Sequence, residues 1–499
     1  MMALEAHWPV LQVVVPMLVA PVVLLLHPRG LAWAAATVAS AASFLIAFKL
    51  AGGVLAGQVY RYALGNWPAP FGIALEVDAM GVLLLLVLTG ASTLALAAGK
   101  ASLDHQIECH RQPLFFAAWL LALAGMAGIV VTADAFNIFV FMEIASLASY
   151  VLVAGGPDRR ALPAVFKYLI MGTVGATFYL IGVGLVYMMT GTLNLADMEL
   201  RIHEVSDQRP ILVAAGFITI GLALKAALFP LHVWLPNAYT FAPHAVSVFL
   251  AACATKVSLY VLLRFDFVVF QGNLLGHDVQ FAAFLMPLAV LAILAGSAVA
   301  MYESNIKRLL AYSSVAQIGY IMLGASMVSV LGLSAGLLHV FNHALSKGTL
   351  FLAVMCLSMR YTGLHLEELA GAARRMPWTL AALVVAALSL IGVPGTAGFI
   401  SKWYLLTAAL QEGLLGLLLV AVIVLGSLMA VFYVWRIVEA AWFRPEPAGA
   451  GSTTPSEAPL GMLVLTWLAA LANVWFGLVT AVPRELATGA AETLLRHLP

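Results

Sequence analysis

Three protonatable side chains recur at intervals of four in the stretch LLHVFNHALSKGTLF: His339, His343 and Lys347. Residues four apart share one face of an α-helix. A rise of ~1.5 Å per residue stacks the three over ~12 Å. Such a column can hand a proton from group to group; the competing reading is a polar stripe packed against a neighbouring helix. Further ionisable groups lie in equally apolar surroundings: Glu143 in FNIFVFMEIASLASY, Lys225 in GLALKAALFPLHVWLPNAY, Lys256 in AACATKVSLYVLL and Lys402 in GFISKWYLL. His232 and His244 follow Lys225 across two prolines, Pro230 and Pro236. Lysine suits proton chemistry when buried, because desolvation favours the neutral amine and a nearby carboxylate restores the ammonium. Glu143 is the candidate acid for Lys225, although spacing alone does not pair them.

The elements that must carry these groups follow from composition. The chain has 499 residues, of which 63% are hydrophobic and 9% charged, against roughly 25% charged in a soluble domain. It reads as an all-α polytopic membrane protein. The net charge of +1 gives no reason to expect nucleic acid. Segments of about 20 apolar residues number about 14, near 9–27, 31–51, 76–98, 113–131, 134–154, 162–190, 211–240, 243–268, 281–301, 307–329, 332–358, 376–410, 414–443 and 460–482. Two are too long for a simple span. The 211–240 segment is interrupted by Pro230 and Pro236, and 376–410 by GVPGTAG at 392–398. Free backbone groups at membrane depth are tolerated only inside protein or beside water. Two such breaks, about 170 residues apart, point to an internally repeated transporter. The expected organisation is N-terminal helices over 1–112, repeats over 113–270 and 281–443, and a loop with a last helix over 444–499.

A charge at the bilayer centre costs at least ~2.5–3.5 kcal/mol, so each ionisable group should face protein, pair or neutralise. Loop cations bear on orientation. Arg29, Lys100, Arg111, Arg159, Arg160, Lys307, Arg308, Arg360, Arg374, Arg375 and Arg444 fall on one side, and Arg61, Arg201, Arg209 and Arg264 on the other. The excess predicts both termini on the outer side of a cell (plasma) membrane. The start MMALEAHW carries Glu5 and no basic stretch, so the first apolar segment reads as a retained helix. A charged connector over 194–210 is expected to hold an amphipathic turn. The cysteines Cys109, Cys253 and Cys356 are far apart and suggest neither disulfides nor an iron–sulfur site. The loop holding Asp104, His105, Glu108, Cys109 and His110 matches no metal-ligand spacing, and reads as solvated.

The stretches ALKAALFPLHVWLPNAYTFAPHAVSVFLAACATKVSLYVLLR, ESNIKRLLAYSSVAQIGYI, HVFNHALSKGTLF and GVPGTAGFISKW together resemble the antiporter-like membrane subunits shared by respiratory complex I and the Mrp-type cation/proton antiporters. The resemblance covers roughly 130–410. It implies 14 helices, two inverted five-helix repeats each with a broken helix, and proton translocation along a central polar axis. Glu143 and Lys225 match the family's acid–lysine pair, Lys256 its central lysine, His339, His343 and Lys347 its second-half relay, and Lys402 its terminal lysine. A lysine rather than a glutamate at 402 resembles the Mrp D-type or the complex I N-type subunit, and FNHALSKGTLF leans toward the former. His244 departs from the small hydroxyl residue often found there. No long lateral helix follows the last span, which argues against the complex I L-type and Mrp A-type subunits.

The resulting expectation is a proton-translocating subunit of a multisubunit monovalent cation/proton antiporter, with other membrane subunits, protons, sodium or potassium, and the bilayer as partners. The alternatives are the homologous pump module of an NADH:quinone or hydrogenase-type complex, and a stand-alone transporter of an organic solute. No cofactor is expected: there is no dinucleotide fingerprint and no cysteine motif.

Overall fold

The computed structural model describes residues 5–26, 30–270, 279–445 and 456–496, with backbone only for 279–283. Arg29 and positions 446–455 of the expected loop lie outside the described residues. In hydrocarbon every backbone group must be satisfied within its own segment, which leaves helices as the available form for long apolar stretches. The chain runs α1 (Trp8–Leu25), α2 (Leu31–Leu55), a hairpin of β1 (Tyr60–Ala63) and β2 (Ala74–Val77), α3 (Ala79–Gln106), α4 (Gln112–Val131), α5 (Ala135–Ala154), α6 (Ala161–Thr190), α7 (Leu195–Ile202), α8 (Arg209–Lys225), α9 (Leu235–Phe241), α10 (His244–Arg264), α11 (Val279–Tyr302), α12 (Ile306–Ser326), α13 (Val330–Leu357), α14 (Pro377–Ile391), α15 (Ala397–Ala409), α16 (Gly413–Val438), α17 (Leu460–Leu478) and α18 (Ala481–Leu495). The strands pair antiparallel, with Tyr60 opposite Val77.

Among the described residues, twelve helical runs are long and apolar enough to cross a membrane. This measure differs from the expected count of about 14 for a physical reason. α8 has 17 residues and α14 has 15, because each stops at a break. α15 and α16 instead join into one run, Ala397–Phe443. The connector over 194–210 contains α7, whose Leu195, Met198 and Ile202 are buried on one face. Side chains fix the helix starts. Asp78 accepts from the Gly81 amide at 2.9 Å, Asp134 from Asn137 at 2.6 Å and Ser329 from Gly332 at 3.1 Å, satisfying donors that a helix start leaves open.

One pattern recurs along the chain. At the start of α5, the amide of Ala135 donates to Leu193 O and that of Leu195 to Ala133 O; at the start of α12, Ile306 donates to Leu364 O and Leu366 to Ser304 O. A Cβ on Gly125 would lie 2.6 Å from the Ala145 amide, and one on Gly296 would lie 2.7 Å from the Ala316 amide. Each second-half residue follows its first-half counterpart by the same number of positions.

Two orientation cations and one break residue differ from expectation. Lys307 is 3% exposed and donates to Ala242 O at 2.7 Å; it begins α12 and is no free loop charge. Arg264 is buried against Asp78, Nη2 to Oδ1 at 2.6 Å. Pro236 lies in the first turn of α9, where its missing N–H costs nothing. The interruption itself is 226–234.

Candidate functional site

The first break positions the acid–lysine pair. α8 ends at Lys225, and the indole of Trp234 donates to Leu224 O at 2.9 Å, taking up a carbonyl that the break frees. A Cβ on Gly175 would lie 2.8 Å from Gly221 O, so α6 and α8 meet at backbone distance. That approach aims Lys225 at α5. Its Nζ donates to Ser146 Oγ at 2.8 Å and to Glu143 Oε1 at 3.4 Å. The lysine side chain is 6% exposed and the glutamate 29%. Beside them lies a cavity of about 40 Å³ lined by Ser146, Ser149, Tyr150, Lys225, Trp234 and Ser258. That is room for water, by the ~10–15 Å³ such a molecule needs in this measure.

The second break positions Lys402. Its ammonium, on α15, donates to the terminal carbonyls of α14, Leu390 at 3.1 Å and Ile391 at 2.9 Å, and to Ser427 Oγ at 3.1 Å. A cation there meets the negative end of the half-helix. Gly392, at φ +92°, ends α14, and a side chain would strain that left-handed turn. Lys402 also sits 4.7 Å from the Tyr320 ring centre.

Between the breaks runs α13. His339 is clamped on both nitrogens, Nδ1 with Ser401 Oγ and Nε2 with Gln317 Oε1, each at 2.8 Å. The His343 ring stacks on it at 6.1 Å and 7°. Neither nitrogen of His343 has a partner among the described residues. Lys347 donates to Leu310 O at 2.6 Å and to Ser313 Oγ. Lys256, on α10, donates to Ala251 O. It lies within electrostatic reach of His339, His343 and Lys347. Two residues on, Ser258 lines the Lys225 cavity. α10 thus links the acid–lysine pair to the column on α13.

His232 lies inside the first break, stacked on Phe229 at 5.3 Å. His244 begins α10, and its backbone amide donates to Gln106 Oε1 at 3.0 Å. His232 also meets the Tyr312 ring of α12 edge-on at 6.4 Å, and Lys307 lies within electrostatic reach of His244. The Cys109 loop is engaged in ion pairs: Asp104 with Lys100 at 2.8 Å and Glu108 with Arg111 at 3.1 Å.

The sequence reading missed Ser146, Gln317, Ser401 and Ser427. The serines and Gln317 carry no signal alone, since neutral polar residues are common where membrane helices pack. Lys307 was read only as a loop cation beside Arg308, and its burial against Ala242 O was not foreseen.

The model of the NADH:quinone oxidoreductase/Mrp antiporter transmembrane family matches residues 132–430, which contain both breaks and every axis residue. The chain belongs to this family. Among members of the NADH:quinone oxidoreductase/Mrp antiporter family, it is 40% identical to NADH-quinone oxidoreductase subunit N of Desulforudis audaxviator over 494 residues, covering 95% of this chain and 96% of that protein. It is 30% identical to the D-type subunit of the Na(+)/H(+) antiporter of Bacillus subtilis over 464 residues, covering 92% and 91%. Its fold matches a chain of the Mrp complex from Dietzia with a TM-score of 0.88 at 26% identity, covering 99% of this chain and 98% of that one. It is a multi-pass integral membrane protein of this family.

Proposed function

We propose that the chain is the proton-translocating subunit of a multisubunit monovalent cation/proton antiporter, of the Mrp D-type. One observation carries this reading: a buried lysine that hydrogen-bonds an acid at a helix break, beside a cavity large enough for water. Protons enter near the first break and load Lys225. Glu143 sets its readiness to release them. They pass by way of the cavity and Lys256 to His343, His339 and Lys347, and leave near Lys402. The pairing of Lys225 with both Glu143 and Ser146 supports a switch, since Ser146 can hold the amine when the carboxylate moves away. The two halves act as inverted repeats, and the matching bridges at the starts of α5 and α12 support that relation. Both termini lie on the outer side of the plasma membrane, with other membrane subunits alongside.

A second reading rests on the 40% identity to a relative named NADH-quinone oxidoreductase subunit N. There the same axis serves a respiratory complex, and the redox chemistry belongs to partner subunits. Purifying the native complex and identifying its subunits separates the two: small antiporter subunits support the first, flavin and iron–sulfur subunits the second. The axis itself is tested by Glu143→Ala and Lys225→Ala in membrane vesicles. Proton flux should fall by at least about 100-fold while the complex still assembles. Normal flux in both variants would sink the scheme.

A further inference from the structure

Asp266 takes no part in the axis, yet its setting is costly. It lies in Phe265–Val269, where the helix continues past α10 with wider turns and the Phe270 amide reaches back to Phe265 O at 2.8 Å. The residue is 9% exposed. Its Oδ1 is 3.5 Å from Thr219 Oγ1 on α8, and Oδ2 has no partner among the described residues. An ionised carboxylate is disfavoured there twice. It is withdrawn from water, and it stands at the carbonyl end of a helix, where negative potential already accumulates.

The charged groups on the elements packed against it are Asp197, Glu199 and Arg201 on α7, Arg209 and Lys225 on α8, Lys256 and Arg264 on α10, and Arg484, Glu485 and Glu492 on α18. Arg201 pairs with Asp197, Lys225 with Glu143 and Arg264 with Asp78. No ion pair joins any of these groups to Asp266 among the described residues. A site of this kind is built to take up a positive charge. A metal ion asks for a shell of about six oxygens, and two side chains do not supply it. A proton needs a single lone pair.

The position connects to the axis. Ser258 and Leu262, four apart, share roughly one face of α10, and Asp266 follows in the wider turns just past its end. Ser258 lines the Lys225 cavity, which puts Asp266 ~12 Å from it toward the hairpin face. Leu262 on α10 and Leu222 on α8, both fully buried, occupy the turns between. These side chains form an apolar layer, the kind of constriction that conducts only when it wets.

We propose that Asp266, assisted by Thr219, is a proton-binding site that gives the Glu143–Lys225 pair a second access route from the hairpin face. The inference rests on the proton-translocation reading above. When the layer at Leu262 and Leu222 hydrates, the proton on the Asp266 carboxyl passes along water to the Lys225 amine, and the carboxylate left behind is reloaded from the hairpin side.

The test uses the assembled complex in membrane vesicles, with Asp266→Asn, Thr219→Val, Leu262→Ser and the control Glu143→Gln. Asparagine keeps the shape of the side chain and removes the titratable oxygen, and copurification of the partner subunits checks assembly. The infrared band of a protonated carboxyl group should be lost in Asp266→Asn, and flux driven by acidifying the hairpin side should fall by about 100-fold, while entry near the first break persists. Leu262→Ser should create a proton leak that Asp266→Asn in the same chain abolishes. Normal hairpin-side flux in Asp266→Asn beside abolished flux in Glu143→Gln overturns the inference and leaves the functional reading intact. Normal flux in Glu143→Gln overturns the functional reading, and the infrared band then still reports whether Asp266 binds a proton.

Discussion

Lys402 shows how one side chain serves both the backbone and the proposed path. Its ammonium satisfies the last two carbonyls of α14 and also faces Tyr320 and Ser427. Replacing it with methionine removes a charge-assisted donor from buried acceptors, which costs about 1–3 kcal/mol. Lys402→Met should therefore lower the melting temperature of the purified complex and abolish proton flux. Lys402→Arg separates the two roles. A guanidinium still donates to the carbonyls but does not give up its proton, so melting should recover while flux stays lost. Recovery of flux in the arginine variant would remove Lys402 from the path. The lysine was legible in the sequence as a charge in an apolar stretch. Its partners were not, because carbonyls freed by a break carry no residue signature, and Ser427 lies on another helix. The same holds for His339. Its place in the four-residue spacing was readable, but the clamp by Gln317 and Ser401 depends on how three helices pack.

At the scale of elements, the breaks were legible because proline and glycine act locally, and they pointed to the proposed repeat without any residue-level match between the halves. The bridge residues differ in kind, Asp134 and Asn194 in one half and Asn305 and His365 in the other. What recurs is backbone geometry at constant spacing, which a comparison of residue types does not register. Close helix contacts are part of that geometry and make a prediction. A Cβ on Gly221 would lie 2.5 Å from Gly175 O, so Gly221→Leu must push α8 from α6 and displace Lys225 from Glu143. Overpacking of this kind typically costs about 1–3 kcal/mol. The variant should melt earlier in detergent and lose proton flux. A Cβ on Gly184, also on α6, meets open space, and Gly184→Leu should match the parent in both measurements. Equal behaviour of the two variants would mean that the α6–α8 approach does not hold the pair in place.

The whole molecule sets which ion its interior admits. Composition made the membrane setting legible at once, and side chains such as Leu18, Leu45, Phe166 and Leu417 do face outward. The sign of the interior emerges only when the helices are assembled. Lys225, Lys256, Lys307, Lys347 and Lys402 are all buried, Glu143 is the acid among the axis residues, Asp78 is held by Arg264, and Asp266 stands apart near the hairpin face. Among the described residues, no group of three or more His, Cys, Asp or Glu could hold a metal ion. Amines and imidazoles offer lone pairs that take up a proton, and each member so charged repels sodium or potassium from the axis. The coupled cation of an antiporter built on this chain should therefore cross in a partner subunit, with this chain setting the rate and not the cation affinity. Gln317→Leu tests the division, since it frees His339 from one of its two anchors without removing a titratable group. In vesicles bearing the complete complex, the variant should slow exchange by roughly tenfold, while the sodium concentration for half-maximal rate stays within about twofold of the parent. A tenfold shift in that concentration would mean that sodium itself reads the axis, and the assignment of the axis to protons alone would have to be given up.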